Sequence, residues 1–185
     1  MNNSMSELIQ ALEELSPMPT DDDPALTVER LRRYNEVTEQ VYTIVGQSEG
    51  GGDTRLIEPL IRSFGYGDAY ESYWTVINIL EKFPYDILRS ALREAVQTGE
   101  RGARMWCAYM LGCQRNREDV PALVAALKDS EYKVRYNAVM ALSMIGDLSS
   151  KAAMEELLND PNEEVQKMAM ESIEALQDQR YVIKR

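Results

Sequence analysis

Histidine is missing from all 185 residues, and cysteine appears only twice. The first absence removes the commonest general base, and with it the Ser-His and Cys-His nucleophile pairs. The second leaves Cys107 and Cys113 six positions apart in one helical segment. That spacing suits neither a disulfide nor, without His or further thiols, a soft metal site, so both are read as reduced and structural. No apolar run approaches the roughly 20 residues that a bilayer-crossing helix needs, and the opening MNNSMSELIQ lacks the basic-then-apolar plan of a secretory leader. The expectation is a cytoplasmic protein with no membrane partner. Positive charge is also short: 20 Lys and Arg against 31 Asp and Glu leave a formal net charge of -11. Duplex binding draws its affinity from neutralising phosphates, so nucleic acid is not an expected ligand. A basic protein partner is, because an acidic surface attracts it at long range; the alternative is that the acidity serves solubility alone. Adjacent acids such as Glu155 with Glu156 and Glu163 with Glu164 point in different directions on a helix and read as solvated faces. The only glycine-rich stretch, Ser48-Glu49-Gly50-Gly51-Gly52-Asp53, lies between helical patterns and ends on Asp rather than Lys. A hinge is therefore expected there rather than a phosphate loop. No catalytic residue, metal or cofactor is assigned.

What the chain does have is a repeat. Arg135 stands 31 positions after Arg104, and at that period Leu80, Leu111, Leu142 and Ile173 fall into one column. Val76, Cys107, Ala138 and Ala169 form a second, and Ala103, Val134 and Val165 a third. Self-similarity at 20 to 50 residues signals a solenoid, in which each unit buries its apolar face only by stacking on its neighbours. The clearest unit occupies residues 120–147. Within it Val120, Leu123, Val124 and Leu127, then Val134, Ala138, Ala141, Leu142 and Ile145, recur at helical spacing and predict a helical hairpin. Asp129 and Ser130 are read as N-cap residues between its helices, and Gly146 as the stop. Asp160-Pro161-Asn162-Glu163 punctuates the next copy, with Asp160 as the cap and proline at the first helical position.

The text VPALVAALKD followed by KVRYNAVMALSMIGD resembles HEAT repeats of the short, phycobilin-lyase type. The resemblance covers about residues 54–177. It implies an all-α superhelix of stacked helical hairpins, a HEAT-like solenoid whose inner helices line a concave, macromolecule-gripping surface. It also implies an inter-repeat ladder in which Arg104 and Arg135, at the starts of inner helices, meet Asp129 and Asp160 in the turns. Gln166 and Tyr73 stand at the arginine position of the last and first repeats, so the ladder is expected to be incomplete at both ends.

In chain order, Leu8, Leu12 and Leu15 make a short first helix, ended by Pro17, Pro19 and Asp21-Asp22-Asp23. It reads as either a loosely docked arm or a cap, and removing residues 1–22 is expected to leave folding nearly unchanged. Pro24 is taken to open a longer helix, 25 to about 47, with Val28, Leu31, Val37, Val41, Ile44 and Val45 inside. Residues 1–48 thus form a helical arm and capping helix, and 54–180 about four repeat pairs. The first pair is an outer helix carrying Leu56, Ile57, Leu60, Ile61 and Phe64 and an inner one over about 68–83. The tail, residues 181–185, either frays or covers the last apolar face. If the columns face the core, then Tyr70, Trp74, Met105, Tyr109, Tyr132, Tyr136 and Met140 lie on the open side. Large aromatics and Met are the types enriched at protein-binding hot spots. The expected function is a non-catalytic module binding a basic protein on this face, in a toxin-neutralising (immunity) or enzyme-inhibiting role. The alternatives are a bilin-lyase-like subunit and a scaffold piece of a larger complex.

Overall fold

A computed structural model describes residues 4–183, with side chains described through 177. Its described residues form helices, turns and loops with no strand, an all-α solenoid of helical hairpins. The helices are α1 (Met5–Leu15), α2 (Val28–Gly46), α3 (Ile57–Ser63), α4 (Tyr73–Leu80), α5 (Tyr85–Thr98), α6 (Arg101–Cys113), α7 (Val120–Ala126), α8 (Tyr132–Ile145), α9 (Lys151–Glu155) and α10 (Glu163–Ile183). The chain divides into two compact units at Ala91 and Leu92, inside α5.

In unit 1, α1 is held by a capping box: the Ser4 hydroxyl accepts from the Glu7 N–H while the Glu7 carboxylate accepts from the Ser4 N–H. Its apolar stripe is core. Leu8 and Leu12 are fully buried, Met18 is nearly so, and α1 packs against both α2 and α3. The first helix is therefore docked rather than loose, because four of its own apolar side chains, Leu8, Ala11, Leu12 and Leu15, are buried. Arg30 adds a tie by donating from Nη2 to the Leu15 carbonyl at 2.8 Å, satisfying an otherwise open helix end. α2 starts later than the proline suggests. Asp23, Pro24 and Ala25 form a turn in which the Asp23 carboxylate accepts from the Ala25 N–H, and Thr27 is the N-cap, accepting from the Arg30 N–H. Val28 then lies on the first turn facing solvent, 86% exposed, whereas Tyr34, Val37, Thr38, Val41 and Val45 are buried. Tyr34 and Tyr73 pack edge to face at 6.0 Å, with Phe64 on Tyr73 at 5.4 Å. Their hydroxyls are satisfied: Tyr34 pairs with Ser63 at 2.7 Å, and Tyr73 accepts from the Gly65 N–H at 2.7 Å.

The inner helix expected over 68–83 begins only at Tyr73, because residues 65–71 take another path. Ala69, Tyr70 and Glu71 all have positive φ, at 46°, 52° and 71°, the left-handed region that non-glycine residues rarely occupy.

Unit 2 is the stack the period predicts. α6 packs along α8 and α8 along α10, with α7 against α8 and α9 against α10. The columns are its core: Cys107, Leu111, Ala138, Leu142 and Ala169 are fully buried, and Ala103, Val134 and Val165 nearly so or fully. α6 and α8 approach so closely that a Cβ on Gly112 would stand 2.5 Å from the Ala141 Cα, which only glycine avoids. Gly146 ends α8 in the left-handed region at φ 72°, as a helix stop should. The starts lie slightly later than expected. α8 has Glu131 at its N-cap position, and Asp129 instead accepts from the Glu131 N–H in the preceding turn. At α10 it is Asn162, not Asp160, that accepts from the N–H groups of Glu164 and Val165. α10 continues to Ile183; the expectations about the tail's side chains and last two residues lie outside the described residues.

Deleting residues 1–22 is expected to lower the melting temperature, contrary to the reading of a dispensable arm. Leu12→Ala alone should cost about 2–5 kcal/mol in urea denaturation, the range expected for Leu111→Ala and Leu142→Ala. A loss under about 0.5 kcal/mol at Leu12 would show that α1 docks without contributing to the core.

Candidate functional site

Two sets of polar and aromatic side chains stand out in unit 2, and they do different things. The first is a hydrogen-bonded rail along the turns. Arg104 donates from Nε and Nη2 to the two Asp129 carboxylate oxygens, at 2.7 and 2.9 Å, and from Nη1 to the Gly99 carbonyl at 2.9 Å. Arg135 repeats the arrangement one unit later, with both Asp160 oxygens at 2.7 Å and Nη1 on the carbonyls of Asp129 and Ser130 at 2.9 and 3.1 Å. Gln166, where a third arginine would stand, donates from Nε2 to the Asp160 carbonyl at 2.6 Å. The amide keeps the carbonyl contact and drops the ion pair. Each aspartate thus receives a guanidinium on its side chain while its backbone serves the next repeat. The fork geometry explains arginine here, since lysine could not hold two carboxylate oxygens and a carbonyl at once.

The electrostatics follow. The Arg135 hydrogen bond, more than the opposing burial, holds the Asp160 carboxyl below the usual aspartate value of 3.8. At Asp129 burial pushes upward, but Arg104 and the Glu131 N–H outweigh it and the carboxyl is again lowered. A third pair escaped the sequence reading: Arg93 Nε donates to Asp119 Oδ1 at 2.6 Å, and Nη2 donates to the Glu118 carbonyl. The Asp119 side chain is completely buried. The period gave no signal for it, since the positions 31 residues later are Val124 and Ser150.

The second set is aromatic. Tyr132, Tyr136 and Met140 lie at i, i+4 and i+8, one stripe of α8, and all three are half-buried. On α6, Tyr109 is half-buried and meets Trp106 edge to face at 6.1 Å. Trp106 was not among the expected site residues, although it is one turn from Tyr109. Met105, which was, is only 5% exposed and belongs to the core. It occupies the same repeat position as Tyr136, but an unbranched thioether bends into a gap where a rigid phenol cannot.

Unit 1 places the remaining two. Tyr70 is 68% exposed in the left-handed turn rather than on a helix, and Trp74 is 45% exposed on the first turn of α4. That turn is clamped from a distant segment. The Asp21 carboxylate accepts from the N–H groups of Asp68 and Ala69 at 3.1 and 2.9 Å, and Asp68 Oδ1 accepts from the Tyr70 N–H at 2.8 Å. A Cβ on Gly67 would lie 2.3 Å from Asp21 Oδ2, so the clamp needs that glycine. Burial, with the Asp21 and Asp68 charges adding to it, pushes the nearby Tyr73 phenol well above its usual range. Among the described residues no cluster of three His, Cys, Asp or Glu is arranged to hold a metal.

Residues 120–183 match the family model described as HEAT repeats. This stretch is similar to HEAT repeats. A relative, "Phycocyanobilin lyase subunit alpha" of Picosynechococcus sp., is 33% identical over 104 residues. That match takes in 51% of this chain and 39% of the relative, so the chain spans well under half the length of the curated protein it resembles. Among solved structures, human deoxyhypusine hydroxylase superposes with a TM-score of 0.57 at 19% identity, covering 93% of this chain and 63% of that one. At that identity the likeness concerns the fold alone. HEAT-like repeats suit a protein-interaction or scaffold module, and no helix among the described residues is long and apolar enough to cross a membrane.

Because the folded Asp160 value lies below 3.8, its pairing with Arg135 contributes stability in full above that pH. The contribution is lost as pH falls through the lowered value. Asp160→Ala is expected to cost on the order of 3–5 kcal/mol at neutral pH by stranding a buried guanidinium. It should also flatten the loss of stability below about pH 4. Denaturant titrations at a series of pH values check both, and an unchanged acid limb in the variant would remove Asp160 from that account.

Proposed function

We propose that the chain is a non-catalytic module that binds a basic protein partner through the aromatic stripe of its inner helices. The observation that carries this reading is the row of half-buried rings on α6 and α8, Tyr109, Tyr132 and Tyr136 with Met140 beside them, on helices made rigid by the column core behind. Solvated helix faces are ordinarily Lys and Glu; half-covered aromatic and thioether side chains are the types that dominate protein interfaces. Arg104, Arg135, Asp129 and Asp160 serve to hold the repeats in register rather than to meet a ligand. On this reading residues 1–48 cap the assembly and 54–180 supply the repeats. The formal charge of -11 selects a basic partner and accelerates its capture. Strong acidity fits a cytoplasmic inhibitor or toxin-neutralising protein, in which binding itself is the activity.

A second reading has one specific observation in its favour, the 33% identity to a phycocyanobilin lyase subunit. In that case the same ring-lined helices would contribute to holding a bilin together with a partner subunit. Visible absorbance after expression with a bilin source, at a stoichiometry near one, would favour it over the protein-binding reading.

For the first reading, partners are captured from the native cell, identified by mass spectrometry and measured with purified components. Tyr109→Ala and Tyr136→Ala should each leave stability within about 1 kcal/mol while weakening binding by at least that much at one of them. Raising salt should slow association and change dissociation less. Large stability losses with unchanged affinity would show the rings to be packing, and the reading would fall.

A further inference from the structure

We infer that unit 1 carries its own recognition surface for a cationic protein segment, an Arg- or Lys-bearing peptide held by Tyr70 and Trp74 between the carboxylates of Asp21, Asp68 and Glu71. The inference rests on the protein-binding reading and names a contact that the inner helices of unit 2 do not supply.

The surface exists because two stretches far apart in sequence are joined. Asp21 reaches the backbone of Asp68 and Ala69, which brings its carboxylate to the turn that carries Asp68 and Glu71. No Lys or Arg occurs in residues 1–29 or 63–81, so neither stretch brings a base of its own. Asp21 and Asp68 take hydrogen bonds from backbone N–H groups. Such bonds satisfy lone pairs without neutralising charge, so both carboxylates keep their field for a cation outside. Screening limits that field to about 8 Å at physiological salt, so it acts on a segment that docks here rather than on a distant charge.

Exposure decides what kind of cation. Tyr70 at 68% and Trp74 at 45% are among the exposed large hydrophobic side chains of the described residues, and they sit four positions apart in the stretch that holds Asp68 and Glu71. Carboxylates alone would take any cation; carboxylates with aromatic faces favour guanidinium and ammonium side chains, which stack on a ring while meeting an acid. A left-handed site would ordinarily hold Gly or Asn, yet here it holds tyrosine. Strain of this sort concentrates at binding sites, and in this turn it displays a ring that a relaxed residue would not carry.

The test titrates the full-length, isotopically labelled protein with a tetra-arginine peptide at physiological ionic strength, following backbone amides by nuclear magnetic resonance, with tetra-glutamate as control. Saturable shifts confined to residues 20–24 and 67–75 are expected. Tyr70→Asn keeps a residue type that tolerates the left-handed turn, so the fold is retained; with Trp74→Ser and Glu71→Gln it should weaken binding at least threefold. Shifts spread equally over the acids of α10, or unchanged affinity in Tyr70→Asn, would overturn the inference, as would no saturable shift at all. Tyr109→Ala and Tyr136→Ala separate the two ideas. If they abolish peptide binding while Tyr70→Asn does not, this surface fails and the reading for α6 and α8 stands. If they leave partner capture untouched while Tyr70→Asn reduces it, the reverse holds.

Discussion

A pair of short helices has more apolar surface than it can cover by itself, and unit 2 is organised around that shortfall. α6, α8 and α10 each bring a column of small side chains, Cys107, Ala138 and Ala169, to the surface shared with the next helix, and all three are fully buried. Small residues let the backbones come close; Gly112 lies so near Ala141 that not even a methyl group fits. Larger side chains one turn on, Leu111 and Leu142, fill what remains. Once the helices are this close, their spacing is set by steric contact rather than by loop length, and the turns must be tied to match. The guanidinium pairs do that tying. They are placed where two repeats meet, and each reaches both a carboxylate and a backbone carbonyl, so a shift of either repeat would break several bonds at once. Buried ion pairs add little net stability compared with apolar side chains, but they strongly penalise the wrong register.

This division of labour explains which parts of the fold were legible in the sequence. The 31-residue period carries both the columns and the Arg-Asp spacing, so helices α7 and α8 and the stop at Gly146 could be read to within a few residues. Their apolar periodicity and turn residues agree with the tertiary environment. Unit 1 was less legible because its determinants are long-range. Nothing local to Asp21 announces that its carboxylate will hold the backbone of residues 68 and 69, and nothing local to Tyr70 announces a left-handed turn. The stripe Leu8, Leu12, Leu15 fits a docked helix and a loose one equally well; only its fully buried leucines decide between them. Among the expected site residues, Met105 shows the limit of a repeat column. Equivalent positions share a direction along the helix, but a flexible side chain can turn inward where a ring at the same position stays half outside.

Charge distribution links the structural and functional sides of the molecule. Arg93, Arg104 and Arg135 meet aspartates in largely covered pairs, and Arg32 and Arg55 are matched to neighbouring acids on the surface. Bases committed in this way offer little to an external anion. Asp and Glu outnumber all Lys and Arg by 11, and that excess sets the sign of the field a partner meets. The same arginines that fix the stack therefore leave the outside negative, and a chain that needed a cationic concave face could not use them twice.

Rigidity is what turns such a surface into a binding site. Ordering a side chain at an interface costs conformational entropy, and a ring already held by its neighbours has less to lose. Tyr109 is held against Trp106, and Tyr132, Tyr136 and Met140 rise from a helix whose opposite face is locked into the columns. In unit 1 the same end is reached by other means, with a carboxylate clamp and a left-handed turn fixing Tyr70. Helix packing supplies preorganisation in one case and a strained loop in the other. A stack alone presents only the residues its period allows, so the aromatic with the greatest exposure among the described residues stands where the period is interrupted.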